Sequence, residues 1–166
     1  MATVRHEEAR DEAAADAIVA AAFGPGRFAK SAYRLREGVG CLASLSFVAE
    51  EAGRIVGTVR YWPVTIGGER ALMLGPIAIV ADRQGQGIAL ALMQTSLAAA
   101  KAEGHRAVIL VGDEPYYGRA GFRRIEPRGR ITMPGPVDYA RLLGLSLAEG
   151  AVEAMRGVVV KGTSKT

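Results

Sequence analysis

Between residues 74 and 89 an apolar strand passes through a short glycine-rich turn directly into a helix, and this segment constrains the fold more than any other. Gly85 and Gly87 have no Cβ atom, so the turn can adopt backbone angles that other residues avoid, and several N–H groups can point at one ligand oxygen. The helix that begins near Gly87 adds unpaired amide donors and the positive end of its dipole, which suit a pyrophosphate. The segment therefore predicts a site for a phosphate-bearing ligand.

The spacing around this turn argues against two nucleotide-binding motifs. A dinucleotide fingerprint needs a third glycine three residues after Gly87, where the chain has Leu90. It also needs an acidic residue about 20 residues further on, where the chain has His105. A Walker-type loop needs Gly-Lys-Ser/Thr at the start of the helix, whereas Ile88 and Ala89 follow Gly87 here. We therefore expect neither a dinucleotide site nor NTP hydrolysis.

The same turn matches a different motif. Gln84, Gly87 and Ala89 have the spacing of Gln/Arg-x-x-Gly-x-Gly/Ala. On these residues the segment resembles the coenzyme A pyrophosphate loop of the GNAT superfamily of N-acetyltransferases. The resemblance makes coenzyme A the first candidate for the phosphate-bearing ligand.

A second motif follows one helix and one strand later. Tyr117, Gly121 and Phe122 fit the Tyr-x-x-x-Gly-Phe element that comes after the next strand in the resembled superfamily. Two motifs in the expected order argue against a chance match. The amino-acid sequence from Val111 to Phe122 is similar to that of the YhbS-like branch of the superfamily. The resemblance extends from the first strand to about Gly135.

Length and composition agree with one globular domain over residues 1–166, with a frayed tail at 160–166. Apolar residues make up 49% of the chain and charged residues 23%, and no uninterrupted apolar span reaches membrane length. Acidic residues stand near the amino terminus, where a secretory signal would have its apolar core. We therefore expect a cytoplasmic protein that does not contact a membrane.

Charge and cysteine content argue against other kinds of site. The net charge of +4 is mild and scattered, so we do not expect nucleic acid as a partner. Cys41 is the single cysteine and cannot form an internal disulfide, and no metal site is expected. His6 and His105 are expected to be exposed or locally bonded. Four arginines are candidates for contacts with a phosphate group, although arginines more often lie in solvent at the surface. They are Arg83, Arg119, Arg123 and Arg124.

Periodicity and turn residues predict a mixed α/β fold with a central mixed β-sheet and helices on both faces. An antiparallel meander comes first, and a strand–helix–strand crossover then makes two strands parallel. The expected strands are Thr3–Arg5, Leu45–Glu50, Arg54–Trp62 with its continuation Trp62–Ile66, Ala71–Val80 and Ala107–Val111. The crossover helix is expected at Gly87–Glu103, with Gly104 as its carboxy-terminal cap.

Two further helices are expected before the sheet is complete. A helix at Asp11–Phe23 ends at Gly24-Pro25, and a second, shorter helix is expected at Ser31–Arg36. The face of the first helix that should be buried contains Ala14, Ala17, Ile18, Ala21 and Ala22.

The resemblance implies the acyl-CoA N-acyltransferase fold of the GNAT superfamily, with acetyl-CoA or coenzyme A as the cofactor. In that fold the strand before the loop and the strand after the helix splay apart and admit the pantetheine arm. Gly75-Pro76 interrupts the first of these strands, because proline has no N–H for a regular ladder. Backbone groups at 77–79 could then pair with pantetheine as a strand would. The cofactor-binding residues so implied are Ile77, Ala78, Ile79, Gln84, Gly85, Gln86, Gly87, Ile88, Ala89 and Asp113.

The chemistry that the resemblance implies is direct attack of a primary amine on the thioester. A lysine-like amine with a pKa of about 10.4 is mostly charged at pH 7, so a base must assist, and Asp113, Glu114 and Glu69 are candidates acting through water. A backbone N–H near Ile77 can stabilise the oxyanion. The motif position assigns Tyr117 as the acid for the leaving thiolate, since a phenol with a pKa of about 10 is protonated at pH 7.

The sequence says least about the identity of the acceptor amine. It is expected to be a small molecule or a peptide, held between Phe23–Glu37 and Met133–Leu143. Tyr116 and Tyr117 point about 100° apart on a helix, so only one of the two should face the cofactor.

Two further questions stay open from the sequence. The strands at Leu142–Leu147 and Val158–Lys161 could equally pair with another subunit, so both a monomer and a homodimer are possible. The alternative function is a coenzyme A-binding sensor or interaction module without transfer activity, and a nucleotide-binding regulator is a third, more remote reading.

Overall fold

A mixed sheet crosses the whole molecule in the computed structural model, which describes residues 1–24, 35–36 and 38–162. Its strands are β1 (Thr3–His6), β2 (Phe47–Glu51), β3 (Arg54–Ile66), β4 (Glu69–Ile79), β5 (Ala107–Val111), β6 (Arg123–Arg124), β7 (Ile131–Thr132), β8 (Leu142–Ser146) and β9 (Gly157–Lys161). The helices are α1 (Glu12–Phe23), α2 (Ile88–Ala102), α3 (Glu114–Tyr117) and α4 (Ala151–Ala154). The predicted strands and the crossover helix are present, with ends that differ by at most two residues.

The first four strands form the predicted antiparallel meander, in the order β1-β2-β3-β4. Glycines make its turns possible: Gly53 has a φ of 79° between β2 and β3, and Gly67-Gly68 has positive φ angles between β3 and β4. Helix α2 then crosses the sheet, and β5 runs parallel to β4 as predicted.

The carboxy-terminal strands complete the sheet within this chain. β8 lies between β5 and β6 and pairs antiparallel with both. β9 pairs with Val64–Ile66 of β3 on one side and with β7 on the other. The strands expected at Leu142–Leu147 and Val158–Lys161 thus pair within this chain, and both the monomer and the homodimer stay predictions.

Each face of the sheet carries its own core, because successive side chains of a strand point to opposite faces. Leu72 and Val108 point to the face that α2 covers, where Leu92 and Met93 are fully buried. Met73 points to the other face, which α4 covers. The predicted arrangement of helices on both faces is confirmed.

Helix α1 packs on the end of β4 with a different face from the predicted one. Ile18 and Val19 are buried in one cluster with Ala78, and Ala15 is fully buried. Four residues of the predicted face are exposed instead: Ala14, Ala17, Ala21 and Ala22. Alanine has little apolar area, so the larger side chains of Ile18 and Val19 decide the rotation of the helix. The helix expected at Ser31–Arg36 lies almost entirely outside the described residues.

Candidate active site

β4 and β5 separate after two paired positions. The parallel ladder joins residues 72–73 to 108–109, and no further pair joins these strands within the described ranges. On its other edge β4 carries a bulge at Gly75-Pro76, where its register with β3 shifts. Gly75 has a φ of 139°, which favours glycine, and proline cannot donate to a ladder. The predicted interruption and the predicted splay are therefore both present.

A cavity of about 450 Å³, which we call the strand cleft, opens between the separated strands. Residues 74–77 form one wall and residues 110–113 form the other, and Phe23 of α1 and the segment 136–138 close it. Its volume is that of a small-molecule site. Trp62 supports the bulge, because its Nε1–H donates to the carbonyl of Gly75.

A second cavity of about 510 Å³, the loop cavity, surrounds the glycine-rich turn. It adjoins the strand cleft, and the residues that line both are Phe23, Ile77, Tyr116 and Tyr117. The two cavities form one groove that runs from the start of α2 to the carboxyl ends of β4 and β5.

The turn has the backbone geometry that its glycines predict. Gly85 and Gly87 have φ angles of 78° and 82°, and a Cβ on either would meet no atom within 4 Å. Gly87 directly precedes α2 and provides no side-chain cap, so the first amides of the helix face open space. Gln84 holds the turn against the sheet, because its Nε2 donates to the carbonyl of Ile79 at 3.3 Å.

Most of the predicted cofactor-binding residues lie around the loop cavity. Gln86 is exposed and lines neither cavity, and Asp113 lines the strand cleft. The residues that line the loop cavity are Ile77, Ala78, Ile79, Gln84, Gly85, Gly87, Ile88 and Ala89. The structure thus brings residues from the end of β4 and the start of α2 to one place, and their role in binding stays a prediction.

Tyr117 lies in α3, where it lines both cavities. Its ring packs edge-on against Phe122, with 6.4 Å between the centroids. Gly112 leaves room for the ring, since a Cβ at this position would overlap Tyr117. Burial raises the pKa of Tyr117 to about 12, the neighbouring Tyr116 adds to this shift, and Arg141 opposes it. The phenol is therefore protonated at neutral pH.

Known proteins are similar to this chain along nearly its whole length. The model of the acetyltransferase (GNAT) domain matches residues 43–124. The chain is 31% identical to the uncharacterized N-acetyltransferase YhbS of Escherichia coli strain K12, over 94% of this chain and 93% of that protein. The chain belongs to the GNAT acetyltransferase family. The predicted resemblance to the YhbS-like branch is confirmed.

Solved structures of the GNAT family have the same fold. The crystal structure of the GNAT family N-acetyltransferase YhbS from Escherichia coli in complex with CoA has a TM-score of 0.81 and 30% identity, covering 97% of this chain and 89% of that one. The crystal structure of a GNAT family acetyltransferase from Brucella melitensis in complex with acetyl-CoA has a TM-score of 0.73 and 27% identity, covering 100% and 99%. The predicted GNAT fold is confirmed.

Two of the four arginines considered for phosphate contacts line the loop cavity of this GNAT chain. Arg83 also bonds a carboxylate of β2 at 2.8 Å, and Arg119 lies over the ring of Tyr116, 4.5 Å from its centroid. The other two arginines do not line this cavity. Arg123 donates to backbone carbonyls of its own loop, and Arg124 lies 3.8 Å from a carboxylate of α3. Arg83 and Arg119 are therefore the cations in the described lining of the loop cavity.

The three acidic residues considered as bases lie in different places. Glu69 begins β4, five residues or about 17 Å along the strand before Leu74, the first residue of this strand in the strand cleft, and it lines neither cavity. Glu114 accepts the backbone N–H of Arg124 at 2.7 Å. Asp113 lines the strand cleft and forms an ion pair with Arg141 at 3.1 Å. Asp113 is therefore the one of the three that the GNAT groove contains.

Tyr116 lines both cavities together with Tyr117. Which of the two faces the cofactor stays a prediction. Helix α3 has four residues and lies at the mouth of the groove, where more than one side of it borders the cavity. The sequence did not predict Arg141 as a residue of the site. Its contact with Asp113 spans 28 residues, and no local motif contains it.

The histidines and the cysteine, which are side chains able to bind metals, each contact another group of the chain. Nε2 of His6 is 3.1 Å from the carbonyl oxygen of Ser44, and Cys41 is half-buried with its Sγ 3.7 Å from the hydroxyl of Ser46. His105 lies 3.8 Å from a carboxylate oxygen of Glu103. Among the described residues, no group of three His, Cys, Asp or Glu side chains could hold a metal ion, and no helix is long and apolar enough to cross a membrane.

Proposed function

We propose that the protein is an acetyl-CoA-dependent N-acetyltransferase that moves an acetyl group to a primary amine by direct attack. One observation carries the proposal: the strand cleft opens directly onto the loop cavity. A ligand held by its phosphates at the loop can therefore extend a flexible arm between β4 and β5. The relatives solved with CoA and with acetyl-CoA support this choice of ligand.

The groove offers the contacts that a coenzyme A thioester needs. The backbone amides of the turn and the dipole of α2 suit a pyrophosphate, and Arg83 and Arg119 add positive charge beside it. Residues 77–79 pair with β3 on one edge and have no strand partner on the cleft side within the described residues. Their free backbone groups can bond the amides of an extended arm.

Acetyl-CoA supplies the thioester carbonyl, and residues of this chain serve the charges that acyl transfer develops. A backbone N–H near Ile77 stabilises negative charge on the carbonyl oxygen. Tyr117 serves the sulfur side. With a pKa of about 12, it is a weaker acid than a thiol with a pKa of about 8.5. Tyr117 therefore acts first by donating a hydrogen bond to the departing thiolate, and full proton transfer becomes favourable only as far as burial also raises the pKa of the thiol.

The amine must arrive in its neutral form. Much of the lining of the strand cleft is apolar, and an apolar surrounding lowers the pKa of an amine. Asp113 is the candidate that takes up the proton through water, because its side chain is 72% exposed while it borders the cleft. The acceptor enters from the side of Phe23 and residues 136–138, where a cavity of about 450 Å³ suits a small molecule or the end of a peptide.

A coenzyme A-binding module without transfer activity is the second candidate function. The observation that favours it concerns the acidic side chains of the cleft: Asp113 is paired with Arg141, and Asp138 accepts the N–H of Ala140 at 2.9 Å. Neither carboxylate of the described lining is therefore a free base. The position of Tyr117 at the junction of the two cavities supports the enzyme.

Two measurements on the full chain test the proposal. Calorimetric titration with acetyl-CoA and coenzyme A should show one saturable site, which ATP and NAD do not occupy. Thiol release from acetyl-CoA, followed over a panel of small amines and peptides, should then depend on the acceptor. Binding without thiol release for any acceptor supports the silent module, and no binding of either ligand removes both readings.

A further inference from the structure

Two arginines lie side by side at the end of the sheet opposite the groove. The parallel ladder pairs Leu72 with Val108, and Arg70 and Arg106 each lie two residues before these positions. Arg70 lies in β4 two residues before Leu72, so its side chain is on the face that α2 covers. Arg106 directly precedes β5, and it lines the same cavity as Arg70.

A third cavity, of about 470 Å³, lies at this place, and we call it the arginine cavity. Arg70, Arg106 and His105 line it, above an apolar floor from β3 and β4. Within the described lining Glu103 is the acidic member, and its Oε1 accepts the hydroxyl of Ser44 at 3.0 Å. Neither Arg70 nor Arg106 has a hydrogen bond or ion pair from its side chain to any described residue.

Both arginines are exposed and line one cavity, and like charges that lie close together repel each other. The carbonyl end of α2 does not compensate, because the carbonyls of residues 99–101 accept the backbone N–H groups of residues 103–105. The chain therefore places two guanidinium groups in the lining of one cavity, and Glu103, which bonds Ser44, is the one carboxylate of the described lining.

We propose that the arginine cavity binds a small organic dianion, with a phosphate group or two carboxylates held between Arg70 and Arg106. A guanidinium presents its N–H groups as a fork that matches carboxylate and phosphate oxygens. The apolar floor gives room for a compact organic body beside the charged group. The ligand bridges β4 and β5 at the end where they are paired, away from the strand cleft, so this site is independent of the proposed transfer reaction.

An amide NMR titration of the full chain locates the site. The probes are phenyl phosphate, inorganic phosphate and succinate, with acetate at matched ionic strength as the monovalent control. We expect saturable shifts at residues 70–72 and 104–107 with the dianions and none with acetate. The stronger of phenyl phosphate and succinate then identifies the charged group. Shifts confined to residues 84–89, or equal shifts with acetate, overturn the proposal.

Two substitutions separate binding from folding. Arg70→Gln and Arg106→Gln should each weaken the dianion about tenfold, since a charge-assisted hydrogen bond is lost. Without ligand, each variant should be at least as thermostable as the parent, because the repulsion is relieved. Arg128→Gln, at another exposed arginine, is the matched control and should change neither property. Unchanged affinity in both cavity variants, or an equal loss in the control, contradicts the assignment, and so does a fall in ligand-free stability.

Discussion

Tyr117 is the side chain whose chemistry can be isolated most cleanly. Replacing it with Phe should lower kcat about 100-fold, because the hydroxyl that stabilises the thiolate is lost. The affinity for coenzyme A should change less than about twofold, since the packing of the ring against Phe122 does not need the hydroxyl. Steady-state kinetics and calorimetric titration of the same variant measure the two effects.

Tyr116→Phe is the matched control, because Tyr116 lines the same cavities from the neighbouring position. It should keep nearly full kcat. Since the pKa of Tyr117 is raised to about 12, the rate ratio of parent to Tyr117→Phe should stay constant from pH 7 to about 10. A ratio that falls within this range, or a slow Tyr116→Phe variant, speaks against the role of Tyr117.

Asp11 ties the amino-terminal strand to the first helix. It is 4% exposed and accepts from the guanidinium of Arg5 at 2.7 and 3.0 Å. The hydrogen bond from Arg5 is the largest cause that lowers the pKa of Asp11 to about 2. A carboxyl group whose pKa is lower in the folded state stabilises the fold above its unfolded pKa, and that contribution is lost as the pH falls through the folded pKa.

Asp11→Asn should therefore reduce the free energy of unfolding by about 1 to 2 kcal/mol at pH 7. The difference from the parent should shrink between about pH 4 and pH 2, where Asp11 becomes protonated in the parent. Urea unfolding at several pH values measures it. Asp82→Asn, which breaks an exposed ion pair with Arg54, should have a smaller effect. A pH-independent difference for Asp11→Asn would contradict the linkage.

Single residues of the site were predictable where a local motif specifies them. Gln84, Gly87 and Tyr117 stand at fixed spacings, and the structure places all three around one groove. The ion pair of Asp113 and Arg141 was not predictable, because the two residues are 28 positions apart and meet only through tertiary packing. Motif spacing thus finds residues that line the loop cavity, while a contact between residues distant in sequence lies at the strand cleft.

The glycine-rich turn is the element in which conformation and proposed binding can be separated. Gly87→Ala places a Cβ at a φ of 82°, which costs about 1 to 2 kcal/mol. It also adds a methyl group to the surface that faces the loop cavity, so coenzyme A should bind about tenfold more weakly. Thermal unfolding and calorimetric titration measure the two effects.

Gly53→Ala is the control for strain alone. Gly53 has a φ of 79° and open space at its Cβ position, but it lies in the turn between β2 and β3, away from the groove. It should lose similar stability and keep its affinity for coenzyme A. If the two variants lose affinity equally, the effect of Gly87→Ala comes from general destabilisation rather than from the loop.

The elements themselves were predictable because turn residues mark their ends. Gly53 and Gly67-Gly68 separate strands rich in β-branched residues, and Gly104 ends the crossover helix with a φ of 90°. The orientation of α1 was not predictable from an alanine-rich helix, where several faces are almost equally apolar. The pairing of β9 with β3 was also not predictable, since it joins residues nearly 100 positions apart.

At the scale of the whole molecule, the ligand of the groove should join two parts of the sheet that are barely paired. At a free concentration of 100 times Kd, coenzyme A should add about 2.7 kcal/mol of stability and raise Tm by about 5 to 10 °C. Amides of residues 77–79 that do not bond β3 should gain protection from hydrogen exchange. Calorimetry and exchange measurements check this, and an unchanged Tm at saturating ligand contradicts a site between β4 and β5.

Only part of the position of the strand cleft was predictable from the sequence. The proline and the family resemblance predicted that β4 is interrupted and separates from its neighbour. Gly75-Pro76 marks where a regular ladder must stop. The point of separation from β5 depends on the register between residues 72–73 and 108–109, which no local pattern encodes.

The pairing of β9 with the middle of the sheet also has a consequence for biosynthesis. Gly157–Lys161 leaves the ribosome after the other described strands, yet it covers Val64–Ile66 of a strand made about 90 residues earlier. Until translation reaches it, that backbone edge of β3 has no partner, and nascent chains expose a segment able to pair with a neighbour. A strand that is made late thus covers an edge that earlier nascent chains would expose.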